Sequence, residues 1–140
     1  MDFAQGPVLF HRELRDGNSG YDLRLCEGWE VYLTLRGKGS VENAAKLLAS
    51  LDELDRTFAD SPPVACAIDL SSAENAPLRV QLMLGQWLLK KRHRIHKMAV
   101  FGGPPLPMKI ARAVCTIARM EQVAFLDSRG EALGFLARAT

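Results

Sequence analysis

The sequence predicts an α/β fold on a mixed β-sheet, with an N-terminal antiparallel meander followed by alternating helices and strands. Two observations carry that prediction. Residues 8–36 alternate apolar and polar side chains, whereas Val64-Ala-Cys-Ala-Ile-Asp69, Met98-Ala-Val-Phe101 and Val123-Ala-Phe-Leu126 are short apolar runs, each followed by a loop and a helical segment. Alternation marks strands wet on one face, and uninterrupted apolar runs mark strands covered on both. A chain of 140 residues that is 48% hydrophobic has the size and apolar content of one domain, so residues 1–140 are read as a single domain.

The elements follow in order. Val8, Phe10 and Leu14 alternate with His11, Glu13 and Arg15, and Asp16-Gly-Asn-Ser-Gly20 supplies turn formers. Tyr21, Leu23 and Leu25 form a second strand; after Glu27-Gly28, Trp29, Val31, Leu33 and Leu35 form a third. A helix is predicted over 41–59, with Ser40 as N-cap and Ala44, Leu47, Leu51, Leu54 and Phe58 on one stripe. A helix over 108–120 follows Pro105 and Pro107, and the last helix opens on Ser128-Arg-Gly-Glu131, the spacing of a capping box, with Leu133 and Leu136 docking it.

The helix expected from Pro77 to about Arg94 carries two apolar faces. Val80, Met83, Leu84, Trp87 and Leu88 form a broad stripe, and Leu78, Leu82 and Leu89 fall roughly opposite. One sheet face cannot bury both. The second stripe is covered by a neighbouring helix of the same domain, or it is a homodimer, partner or ligand face.

Composition excludes several classes. Eighteen basic against 16 acidic residues leave a net charge of +2, without the global basic field of a general nucleic-acid binder. Cys26, Cys66 and Cys115 are odd in number, widely spaced and set in apolar runs, which reads as buried cytosolic thiols rather than a disulfide framework or zinc knuckle. No stretch approaches the roughly 20 apolar residues of a membrane span, and Met1 to Pro7 lacks the features of a secretory signal, so a soluble cytoplasmic protein is expected.

The order of elements, with Ala67-Ile-Asp69-Leu-Ser-Ser72, Lys97-Met-Ala-Val-Phe-Gly102 and Val123-Ala-Phe-Leu-Asp-Ser-Arg-Gly-Glu131, resembles a SpoIIAA-like protein of the STAS superfamily over nearly the whole chain. That resemblance implies a small α/β scaffold used for protein interaction in bacterial signalling. A neighbouring superfamily, the CRAL-TRIO lipid carriers, uses a related architecture for hydrophobic ligands. Anti-anti-sigma factors of the STAS superfamily carry a switch serine at a helix start, phosphorylated to control partner binding. Here the matching stretch, Ala73-Glu-Asn-Ala-Pro-Leu78, has no hydroxyl, and Ser71 and Ser72 lie earlier.

No stretch of the chain assembles a complete catalytic set. Asp69, Ser71, Ser72, Glu74 and Asn75 form a polar rim without a histidine placed to act as base. Phe101-Gly-Gly-Pro-Pro-Leu-Pro107 lies where α/β sheets bind ligands but lacks the Walker and GxGxxG patterns, and its prolines remove donors; Lys109 could add one positive group there. Lys90-Lys-Arg-His-Arg-Ile-His-Lys97 is the densest charge run, explained mostly by cations at a helix C-terminus, with contact to an acidic partner protein, an anionic lipid headgroup or RNA as the functional alternatives, of which the lack of interleaved aromatic residues disfavours RNA. His93 and His96 lack neighbouring metal ligands, so neither a metal nor a cofactor is expected.

The expectation is therefore a non-enzymatic interaction module. Its partner or ligand residues are Asp69, Ser71, Ser72, Glu74, Asn75, Arg79, Gly102, Gly103 and Lys109, with Leu78, Leu82 and Leu89 as a dimer or ligand face. The alternative is a carrier or sensor of a small hydrophobic or lipid ligand.

Overall fold

The computed structural model describes residues 3–138; Met1, Asp2, Ala139 and Thr140, also within the expected domain, lie outside the described residues. Six strands form one sheet in the order β1-β2-β3-β4-β5-β6: β1 (Val8–Asp16), β2 (Ser19–Cys26), β3 (Glu30–Gly37), β4 (Val64–Ala73), β5 (Ile95–Phe101) and β6 (Val123–Leu126). The first three are antiparallel, and β3 through β6 run parallel, so the sheet is mixed. Helices α1 (Val41–Thr57), α2 (Leu78–Lys91) and α3 (Pro105–Ile117) connect the parallel strands, and α4 (Arg129–Ala137) closes the chain.

Because strand order never reverses, three crossovers of the usual right hand place α1, α2 and α3 side by side on one face. That face holds the larger core, where Leu23, Leu25, Val31, Leu33, Met98 and Val100 meet Leu47, Leu88 and Cys115. Alternate residues of the same strands, Tyr32, Ala67, Ala99 and Phe101, point the other way and are met by Ala132 and Leu136 of α4. Completely burying one leucine such as Leu23 or Leu25 contributes about 1.5–3 kcal/mol. Gly85 permits close packing of α2 on α3, since a Cβ there would meet the Ile117 side chain at 2.6 Å.

Several boundaries differ from the sequence expectation. Strand β4 runs on through Ser71 and Ser72 to Ala73, because a bulge sets Leu70 and Ser71 against the single residue Leu35 and lets pairing resume at Ser72 and Arg36. The two serines therefore sit on a strand rather than in a loop. Helix α3 starts at Pro105, since Pro105 and Pro107 occupy the first turn, where a missing N–H costs nothing. Ser40 caps α1 by accepting from Asn43 N at 3.1 Å, and Ser128 caps α4 by accepting from Glu131 N at 3.2 Å. The capping box is half formed, because the Glu131 carboxylate takes the Ser128 hydroxyl instead of its backbone N–H. No side chain caps α2, whose N-cap is Pro77.

The basic run is taken apart by the fold. Helix α2 ends at Lys91, a single 3-10 turn spans Arg92–Arg94, and β5 begins at Ile95, so the helix does not persist to the histidines and His96 lies on a strand. Arg92 donates to the carbonyl of Arg119 past the end of α3 at 3.3 Å, and Arg94 donates to those of Phe58 and Ser61 past α1 at 3.2 and 2.8 Å. Lys97 is buried and donates to the carbonyls of Phe135 and Arg138 at the end of α4. Cations at helix C-termini satisfy orphan carbonyls and complement the dipole. Three helices therefore end on one stretch of chain.

Candidate functional site

The C-terminal ends of the parallel strands form a rim, and Asp69 is its centre. One carboxylate oxygen accepts the Tyr32 hydroxyl at 3.0 Å, and the other accepts the Ser71 backbone N–H at 3.0 Å and its hydroxyl at 2.7 Å. Gly102, at φ +78°, turns the chain out of β5 beside Ser71, and a Cβ there would lie 3.7 Å from that of Ser71. A Cβ on Gly103 would come within 2.9 Å of Leu70 Cβ, so a side chain there would lift the loop off β4. Asp69, Ser71, Gly102 and Gly103 are thus brought together. Glu74 and Asn75 join the neighbouring loop, through Glu74 N to Gly37 O and Gly39 N to Asn75 O, both 2.9 Å. Ser72, Arg79 in the first turn of α2 and Lys109 in α3 are exposed; among the described residues no hydrogen bond or ion pair ties the side chains of Arg79 and Lys109 to Asp69.

Tyr32 extends this group onto the face covered by α4 and was not among the sequence candidates. Burial first, and then the Asp69 contact, push its hydroxyl up to about 12. The Arg129 and Arg24 guanidinium carbons lie 5.6 and 5.8 Å from its ring centroid, and Phe101 packs edge-on at 6.2 Å. The available signal was an aromatic residue at a polar position, between Glu30 and Thr34 in the alternation of β3. Ser71 and Asp69 offer a hydroxyl and an acceptor but no imidazole relay. His11 instead bonds Asp22 at 3.0 Å, and His93 and His96 stand on the basic segment at the opposite strand ends. The contacts shown at Asp69 are hydrogen bonds to Tyr32 and Ser71. Among the described residues, no three His, Cys, Asp or Glu side chains cluster to hold a metal ion.

No family model matches the sequence, and no curated protein matches it significantly. Solved structures do. An uncharacterized protein of the DUF3478 family with a SpoIIAA-like fold, from Shewanella loihica PV-4, superposes with a TM-score of 0.59 at 16% identity, over 98% of this chain and 99% of that one. The fold is SpoIIAA-like. SiaC of Pseudomonas aeruginosa gives 0.51 at 12% identity, over 86% and 97% of the two chains. A crystal structure of the diguanylate cyclase SiaD in complex with its activator SiaC, also from Pseudomonas aeruginosa, gives 0.51 at 11%, over 84% and 99%.

On this SpoIIAA-like frame the two faces of α2 separate cleanly. Leu78, Leu82 and Leu89 are 67, 41 and 37% exposed, so no helix of the described chain covers them. Leu106, at the start of α3, is 49% exposed at the same end of the sheet, because parallel strands start both helices there. The opposite face of α2, with Val80, Leu84, Trp87 and Leu88, lines a partly open apolar cavity of about 270 Å³ between the sheet and helices α1 to α3. Leu78, Leu82 and Leu89 are not among the residues that line this cavity. No helix of the described residues is long and apolar enough to cross a membrane.

Proposed function

We propose that this chain is a single-domain, non-enzymatic regulatory module of the cytoplasm that docks a protein partner. The docking surface is the rim from Asp69 to Ala76, the Gly102 to Pro107 loop and the outer face of α2. The observation that carries the reading is the line Leu78, Leu82 and Leu89, exposed along one helix whose start also carries the exposed charged residues Glu74 and Arg79. Contiguous apolar surface rimmed by charge is the usual signature of an interaction face. SiaC, a neighbour in fold, activates a diguanylate cyclase with which it forms a complex, which supports the use of this architecture for protein docking. The same helix face is where a homodimer would form.

Affinity capture tests the proposal, using wild type, Leu78→Asp with Leu82→Asp, and Glu74→Lys with Arg79→Glu, each first shown to be folded by circular dichroism. A partner retained by wild type and lost by both variants supports the reading. Equal recovery by all three removes this surface from contention. Sedimentation of wild type and the leucine variant, in parallel, separates a second copy of the chain from a different partner.

A further inference from the structure

The near-neutral total charge conceals a division along the chain. Asn75 to Met120 holds nine of the 18 lysines and arginines and none of the 16 acidic residues. That stretch is α2, β5, α3 and the connections between them, so its charge gathers on one side of the fold. Helix α1, next in the same layer, is built the opposite way, with Glu42, Asp52, Glu53 and Asp55 against Lys46 and Arg56.

The fold neutralises part of the positive charge. Asp55 pairs with Lys91 and Arg94, and Lys97 is buried against the end of α4, so the Lys90 to Lys97 run is largely turned inward. Arg79, Lys90, Arg92, Lys109, Arg112 and Arg119 remain exposed, and among the described residues none of the six forms an ion pair, even with Glu74 and Glu121 at the borders of the stretch.

Three of these cations border an apolar seam. At about 100° per residue, Leu78, Leu82 and Leu89 fall within about 40° of one another on α2, with Arg79 and Lys90 together on one flank. Gly85, which meets Ile117, marks the other flank as the side of α3. Leu106 lies about three turns before Ile117 on the same face of α3, so its exposed side chain continues the seam, and the exposed Lys109 borders it there. Arg79 and Lys90 stand about 16 Å apart along the axis of α2.

Apolar contact supplies affinity, and uncompensated charge selects the partner. A second copy docked across a two-fold axis would set Arg79 and Lys90 against their own duplicates. RNA would need exposed aromatic rings, and a membrane interface favours tryptophan or phenylalanine; Trp87, the one aromatic residue of α2 and α3, is tied to Asp52 of α1 at 2.7 Å. Resting on the docking role proposed for this face, we infer that the partner contributes an acidic amphipathic segment, with apolar side chains in the seam and aspartates or glutamates against Arg79, Lys90 and Lys109.

Selection of a random peptide library, displayed on phage, against immobilised full-length protein tests the inference. Enriched peptides should be acidic with interspersed leucine, isoleucine or phenylalanine. For a synthetic peptide of the enriched sequence, Lys90→Glu with Lys109→Glu should weaken binding at least about tenfold, as should raising sodium chloride from about 0.05 to about 0.5 M. Both lysines are exposed, and circular dichroism confirms that the variant is folded. Leu82→Asp should abolish binding. Basic or uncharged consensus peptides, no enrichment, or an affinity indifferent to the lysine reversals overturns the inference; so does flotation of the protein with phosphatidylserine vesicles in place of peptide binding. Peptides lost on Leu82→Asp but indifferent to the lysines leave the docking face standing without its acidic partner, whereas peptides indifferent to Leu82→Asp remove the face itself.

Discussion

Removing Asp55 puts the attachment of α1 to a direct test. Its carboxylate takes Lys91 Nζ at 2.7 Å and Arg94 Nε at 3.1 Å on separate oxygens, and the three side chains are 24, 31 and 23% exposed. Exposed ion pairs contribute about 0–1 kcal/mol, whereas stripping one partner from a buried pair costs about 3–5 kcal/mol. With roughly a quarter of each side chain still wet, about 1 kcal/mol per contact is appropriate, so Asp55→Ala should cost about 2 kcal/mol. That is on the order of a thirtyfold fall in the ratio of folded to unfolded protein. The pH dependence follows from the same contacts. Burial acts to raise the Asp55 carboxyl, but the hydrogen bonds and charges of Lys91 and Arg94 outweigh it and hold the group below the ordinary carboxylate value. A carboxyl depressed in the folded state contributes its stability above the unfolded pKa of about 3.9 and loses it as pH falls through the folded value. The gap between wild type and variant should be full at neutral pH and should close in acid. Urea unfolding followed by circular dichroism at both conditions measures it. Glu53, held low by Arg12, titrates alike in both proteins and cancels. A neutral-pH loss under about 0.5 kcal/mol, the range of an ordinary surface substitution, refutes the reasoning, as does a gap that persists in acid.

Three further outcomes are expected. In a Tyr21→Phe background, absorbance titration should place the Tyr32 phenolate midpoint near 12, and Asp69→Asn should lower it while burial keeps it above the ordinary 10; an unmoved midpoint would deny the Asp69 contact. Burial pushes the thiols up, to about 12 for Cys66 and about 11 for Cys115, with Cys26 also raised, so iodoacetamide at neutral pH should label all three only after unfolding. Arg119 holds φ +56° just past α3, where Met120 N and Arg119 N return to the carbonyls of Cys115 and Thr116. Arg119→Gly should therefore raise stability by about 1 kcal/mol in the same urea assay, because glycine enters that region without strain, and a loss would count against the assigned cap.

The sheet was legible because its two halves use different patterns. Alternation from Val8 to Leu35 and unbroken runs at Ala65, Met98 and Val123 can each be satisfied by one environment. Boundaries were less legible where a local irregularity decides them. The bulge at Leu70 and Ser71 carries pairing past the apolar run, and two prolines serve α3 as a first turn rather than a barrier. Asp69, Ser71 and the glycine pair were readable as a rim, since strand ends and loops announce themselves in composition. Tyr32 and Arg129 were not, because Tyr32 reaches Asp69, and Arg129 reaches the Tyr32 ring, from elements distant in sequence.

The segment from Arg92 to Lys97 carries a consequence for cooperativity. Helices α1, α3 and α4 lie on two faces of the sheet, yet each ends on a cation from this one stretch. Regions that share such anchors open together rather than piecemeal. Amides near the C-termini of the three helices should accordingly exchange as one unit, and a single cut at the 3-10 turn should release all three. Sequence proximity among the cations thus becomes mechanical coupling between helices that scarcely touch.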